Sequence, residues 1–186
     1  TNDSADNVRS AACACLAGFG RKQSAEFLIR CLGDKVWFVR MRAVRALSAI
    51  DEAMPEIAAL ITDHSLLVKE SVKQAMADHI DKALPFIQAT LESDNKIAKK
   101  EAVEALEISG HVQKLLQDIT GDDPERKAGS EKLLRAMIHA SAHYGIETAL
   151  ASFTGAMKEK IINELGAIDR SFTRQGAEKT LDRERV

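Results

Sequence analysis

Aromatic residues are scarce in this chain: six Phe, one Trp and one Tyr among 186 residues. Proline is scarcer still, with three, and glycine stands at ten. Such a composition argues against a β-sandwich or barrel, which draws on aromatic and β-branched side chains. Cysteine is also sparse. Cys13, Cys15 and Cys31 are odd in number and unpaired in spacing, which excludes a disulfide framework and fits a reduced, cytoplasmic chain. No apolar run reaches the length of a membrane span, and no stretch reads as a signal peptide. Neither sign of charge dominates. Lys+Arg of 26 against Asp+Glu of 28 leaves a net charge of −2, which does not mark a dedicated nucleic-acid binder. What remains is a chain long enough to bury one continuous core.

Self-comparison exposes a repeat, the feature that decides the fold. The segment Asp34 to Leu47 has the skeleton of Asp, an apolar residue followed by a base, small residues, then Ala-Leu. The same skeleton returns as Asp63…Val68-Lys69…Ala75-Met76 and Asp94…Ala98-Lys99…Ala105-Leu106, and earlier as Asp3…Val8-Arg9…Cys15-Leu16. Weaker copies end at Leu134 and Leu165. The closing apolar residues 16, 47, 76, 106, 134 and 165 are spaced by 31, 29, 30, 28 and 31. A second series runs in step with the first. Apolar pairs four apart occur at Leu28/Leu32, Ile57/Ile61, Ile87/Leu91, Leu115/Ile119 and Ile146/Leu150, and each second member lies 15 residues before its closing residue. An i,i+4 apolar pair marks one face of a helix. Each unit is therefore predicted to be two amphipathic helices, A and then B, joined by a short turn carrying Asp.

Local punctuation agrees with that reading. Pro55 and Pro85 are placed at the starts of two A helices, where a missing N–H costs nothing. Asp34, Asp63 and Asp94 precede B helices, where a carboxylate can accept orphan N–H groups. Gly18, Gly33, Gly110 and Gly121 fall where helices should stop. Cys15 stands where the other units carry small apolar residues, which predicts a buried thiol. Units of this size cannot bury their apolar stripes alone and must stack. The predicted architecture is all-α: a right-handed αα-superhelix of about six two-helix repeats over residues 1–169, the first lacking its A helix. Residues 170–186 read as a charged helix end or linker, and the chain reads as part of a longer polypeptide.

The pattern Asp-x-x-x-x-Val-Arg-x-x-Ala-x-x-Ala-Leu at Asp34–Leu47 resembles the HEAT repeat, in its short bacterial form of the phycobilin-lyase type. The resemblance covers roughly residues 3–166, and it implies a solenoid whose B helices line the concave face. It also implies that the recurring bases Arg40, Lys69 and Lys99 pair with the turn carboxylates Asp34, Asp63 and Asp94, each in its own or the adjacent repeat, in a structural ladder. Arg9, Lys127 and Lys158 continue that series. The competing reading makes these bases a grip on an anionic partner. In the sixth unit Ser152 replaces the Asp, so the ladder should be weakest there.

Nothing in the sequence points to catalysis. There is no Gly-rich phosphate loop, no Gly-x-Ser-x-Gly turn and no spaced Cys/His set. His139 and His143 lie four apart, but Tyr144-Gly145 reads as a helix ending, and a His near a helix C-terminus is the plainer account. Some HEAT-type hydroxylases bind iron through His-Glu pairs; this chain has no His-Glu dipeptide. No metal, cofactor or catalytic residue is expected. Charge is unevenly spread: +4 over residues 1–50, −8 over 51–126 and +2 over 127–186, a pattern able to steer a partner. Setting Val39, Ala43, Ala46 and Ile50 inward leaves Met41, Val44, Arg45 and Ser48 outward at 100° per residue, with Trp37 at the start of the same helix and Arg42 at the edge of the arc. The expected partner surface is Trp37, Met41, Arg42 and Arg45, a composition typical of interaction hot spots, although Trp37 reads equally as a cap on the inter-helix groove. The leading function is a protein-interaction scaffold binding a protein or peptide, with no nucleic acid and no membrane insertion. The alternatives carried by the resemblance are a phycobilin-lyase-type enzyme subunit and a HEAT-like DNA-binding protein. The second needs a basic, aromatic-rich concave face, against which stand the −8 middle third and the single Trp and Tyr.

Overall fold

The computed structural model describes residues 5–17 and 22–172, and among these there are only helices and turns. The chain divides into two compact units, Thr1–Ser109 and Gly110–Val186. In the first, α1 (Asp6–Ala17) is followed by three helix pairs: α2 (Lys22–Cys31) with α3 (Trp37–Leu47), α4 (Met54–Ala58) with α5 (Leu66–Asp78), and α6 (Ile80–Glu92) with α7 (Lys96–Ile108). A 3-10 turn at Asp51–Ala53 leads into α4. The second unit holds α8 (His111–Asp118) with α9 (Pro124–His139) and α10 (His143–Ala151) with α11 (Gly155–Ile168), ending in a 3-10 turn at Arg170–Phe172. No described helix is long and apolar enough to cross a membrane.

The repeat arithmetic accounts for the core. All ten residues of the i,i+4 pairs are buried, and so are the closing residues Leu47, Met76, Leu106, Leu134 and Leu165. In the first unit the B helices α1, α3, α5 and α7 pack side by side in one layer, with the A helices behind them. Val39, Ala43, Ala46 and Ile50 face that core. In the second unit Lys127 on α9 reaches Glu164 on α11 at 2.9 Å, so its B helices are also neighbours.

Five local expectations need correction or fall outside the description. Pro85 lies inside α6 rather than at its start. The helix extends back to Ile80 because Ala83 and Ile87 share a fully buried face, and the missing Pro N–H removes one helical bond without ending the helix. Val44, assigned outward, is fully buried: that flank of each B helix packs on the next B helix, here α5. Cys15 is exposed, because no described helix covers that side of α1. His139 closes α9 while His143 opens α10, with Ser141 at φ 64° between them, so the two do not share a helix; His143 instead stacks on Phe172, ring centroids 5.6 Å apart. Gly18 and residues 173–186 lie outside the described residues.

Buried Cys13 on α1 is hydrogen-bonded to Cys31 at the end of α2. Burial, reinforced by that thiol neighbour, pushes the Cys13 thiol up to about 12.

Candidate functional site

The surface on which function can rest is the outer face of the B-helix layer in the first unit, and its geometry follows from the ion pairs that fix neighbouring helices. Arg9 donates from Nε to Asp34 Oδ2 at 2.7 Å and from Nη2 to Oδ1 at 3.1 Å. Arg40 makes the same fork to Asp63, 2.7 Å to each oxygen, and donates from Nη1 to the Asp34 carbonyl at 2.8 Å. Each Arg thus ties its own helix to the turn of the next unit, the bidentate geometry for which a guanidinium is suited. The carboxylates work twice. Asp34 Oδ1 accepts from Val36 N–H at 2.9 Å and Asp63 Oδ1 from Ser65 N–H at 2.8 Å, which holds the turn ahead of α3 and of α5. The Arg9 hydrogen bond, opposed by burial, lowers the Asp34 carboxyl, and Arg40 does the same for Asp63.

The third step is built differently. Lys69 Nζ donates to Glu101 Oε1 at 2.6 Å, not to Asp94, which is exposed. A lysine lacks the fork that grips a turn carboxylate, and the longer Glu101 side chain reaches it from α7. The cap on α7 passes to Asn95, whose Oδ1 accepts from Ile97 and Ala98 N–H at 3.1 and 3.0 Å. Neither Lys99 nor Lys158 has a carboxylate partner among the described residues. In the second unit the equivalent cap is Asp123, which accepts from Glu125 and Arg126 N–H; the spacing argument did not single it out, although Asp followed by Pro is a helix-start signal.

Between α5 and α7 lies a feature the sequence reading missed. Lys73, only 3% exposed, stands among Glu70 (2.7 Å), Glu101 (3.0 Å) and Glu104. Burial alone would depress the ammonium; Glu104, Glu70 and Glu101 together hold it well above the ordinary lysine range. Burial would likewise raise Glu101, but Lys69 and Lys73 keep it below its usual value. The three carboxylates offer oxygens within 4.8 Å of one another, enough to hold a cation, and the cation they surround is the lysine of the same chain. Its positions in the repeat are occupied by Val44 and Val103 in the flanking B helices, so an aliphatic register gave no hint of it.

Toward α1 the face changes character. Trp37 is 40% exposed and meets Phe38 edge-on at 5.7 Å. Met41 is half-buried, and Arg42 and Arg45 are exposed. Neither guanidinium has a carboxylate partner among the described residues. Leu66 and Leu67 in the first turn of α5 and Ile97 in the first turn of α7 are also exposed, so each of three consecutive B helices, with Trp37 on α3, starts with an exposed apolar side chain. Arg45 and Ser48 on α3, with Leu67, Ser71 and Gln74 among others on α5, line a groove of about 300 Å³.

The family model described as HEAT repeats matches residues 1–77. No curated protein matches. Among solved structures, an engineered protein of the Northeast Structural Genomics Consortium, target OR329, is 18% identical, covering 92% of this chain and 94% of its own at a TM-score of 0.44. A designed armadillo repeat protein is 16% identical, covering 90% and 96% at a TM-score of 0.41. The Asp34–Leu47 skeleton, the first helix pair and the Arg–Asp steps all fall within residues 1–77, the segment that the HEAT-repeat model matches.

Proposed function

We propose that the first unit is a protein-interaction scaffold whose B-helix face docks a protein or peptide partner, with Trp37, Met41, Arg42 and Arg45 at its centre. One observation carries the reading: these four side chains occupy one exposed arc of α3, while Val39, Ala43, Val44, Ala46 and Leu47 on the rest of that helix are buried. Aromatic, Met and Arg side chains on one surface are those that dominate interface energetics. Exposed Leu66, Leu67 and Ile97 at the starts of α5 and α7 add apolar surface beyond a single helix. Scattered exposed apolar residues mean little, whereas apolar side chains at successive helix starts, beside cations with no carboxylate partner among the described residues, suit a surface that a partner covers.

A photo-cross-linking side chain placed at Met41, with a control at exposed Ala59 on the opposite layer, tests this directly. Irradiation in the native cell extract should give a discrete adduct from position 41 and none from position 59. Adducts only from position 59 would move the docking surface to the A-helix layer. Trp37→Ala alone does not decide the matter, since it also removes the ring contact with Phe38.

A further inference from the structure

The three junctions between consecutive B helices of the first unit use equivalent positions of the repeat, and they carry different charges there. At α5–α7 the earlier helix supplies Lys69 and Lys73 and the later one Glu101 and Glu104, and these four meet in ion pairs. At α3–α5 the same positions are Arg40 and Val44 against Ser71 and Gln74. At α1–α3 they are Arg9 and Cys13 against Arg42 and Arg45. The glutamates of the last junction have become arginines in the first; the only carboxylate of α1, Asp6, is held by Arg9, and Glu70 and Asp78 of α5, which share a groove with Arg45, make no ion pair with it. Arg9 is already held by Asp6 and Asp34. Cys13 is a buried thiol, and Ala14, equivalent to Arg45, is small and exposed.

We propose that the missing anion comes from the partner: a segment bearing carboxylates seats them on Arg42 and Arg45 over the α1–α3 junction and rests an apolar side chain beside Trp37 and Met41. This rests on the docking reading above and adds the chemistry of what docks. Two guanidiniums without carboxylate partners among the described residues are matched by carboxylates, bidentately and with directional hydrogen bonds. A long polyanion such as nucleic acid fits poorly. It would have to continue over α5, where Glu70, Gln74 and Asp78 form the outer rim, into a stretch whose net charge is −8. The short cationic patch thus selects a local acidic motif rather than a charged backbone, and the acidic neighbour sets the direction in which the segment can leave.

The probes are a short fluorescent peptide of glutamates interrupted by leucine and phenylalanine, its Gln-for-Glu and Lys-for-Glu versions, and a single-stranded oligonucleotide of matched length. They are titrated into the full chain by anisotropy and by NMR of the Trp37 indole and the Arg42 and Arg45 Nε–H groups. The acidic peptide should shift all three resonances, and its affinity should fall about tenfold or more in Arg42→Glu/Arg45→Glu and in high salt. Circular dichroism checks that this surface variant is folded, and the milder Arg42→Gln/Arg45→Gln gives an intermediate loss. Equal binding of the Gln version, or tighter binding of the Lys version at this surface, overturns the acidic partner and leaves the docking reading standing. Tighter binding of the oligonucleotide overturns it in favour of a polyanion. If no probe moves the Trp37 indole, both the acidic partner and the docking surface fall.

Discussion

The α1–α3 and α5–α7 junctions occupy the same register of one repeat and solve opposite problems. At α5–α7 charge is internal. Lys73 and Glu101 are nearly out of water, and each is ion-paired with groups of the same unit. At α1–α3 charge is external, with Arg42 and Arg45 in solvent and no carboxylate against them among the described residues. A repeat scaffold needs only the apolar pairs and closing residues to stack. The positions between adjacent B helices are therefore free to be spent on internal locking in one place and on recognition in another, without altering the backbone.

The largest effect that can break this comparison concerns Ala46, buried against its neighbours, and its counterpart Cys15, exposed on α1. Ala46→Glu should cost about 4 kcal/mol or more, because it buries an unpaired charge. Cys15→Glu, the same step in the same register, should stay within about 0.5 kcal/mol. Chemical denaturation of both variants checks the pair, and equal losses would mean that the two faces of the B layer are misassigned. Next in size is the Lys73 cluster. Glu101→Ala removes one partner of a buried ion pair and should destabilise by about 3–5 kcal/mol, whereas Arg42→Ala at the equivalent position should be nearly neutral. Melting curves of the two variants decide it.

Acid should weaken all three junctions of the first unit. Asp34, Asp63 and Glu101 sit below their ordinary values because of Arg9, Arg40 and the two lysines, with burial opposing in each case. A carboxyl lowered on folding contributes stability that is fully present above its unfolded value, near 4, and is lost as pH falls through the lower folded value. Thermal melts should be flat from about pH 7 to 5 and drop below about pH 4, and Glu101→Gln should flatten part of that drop. The smallest effect is expected for Arg42→Glu/Arg45→Glu, whose melting temperature should match the parent's within about 0.5 kcal/mol of stability or rise slightly. It recreates the acidic half of the α5–α7 arrangement beside Arg9, which is already occupied by two carboxylates. A marked loss would show that the arginines are structural.

The helix pairs were legible because they depend on one periodic variable, the spacing of apolar residues. Leu28/Leu32 and its four counterparts held a constant offset to the closing residues, and burial follows that spacing directly. What depends on neighbours across the layer was not legible. A helical wheel for α3 gives an inward and an outward side but not which flank meets the next B helix, so Val44 was misplaced while Arg45 was not. The Arg9–Asp34 and Arg40–Asp63 forks suit the regular spacing of base and Asp. Where Lys69 stands at the position Arg9 and Arg40 hold, the contact moves seven residues on from Asp94, to Glu101 within α7, and no repeat alignment of bases and turn carboxylates contains that residue. The acidic box around Lys73 was hidden for the same reason, since its four members come from two helices and only their packing brings them together.

The thiols of α1 turn the first helix into a clock. Burial and the neighbouring Cys31 disfavour the Cys13 thiolate, and Cys13 and Cys31 are sealed as well, whereas Cys15 meets solvent. An alkylating reagent will therefore label position 15 at once and wait at position 13 until α1 lifts from α2. The lag between the first and second label measures how often that helix detaches. A bound partner spanning α1 and α3 would lengthen the lag without touching a single sulfur atom.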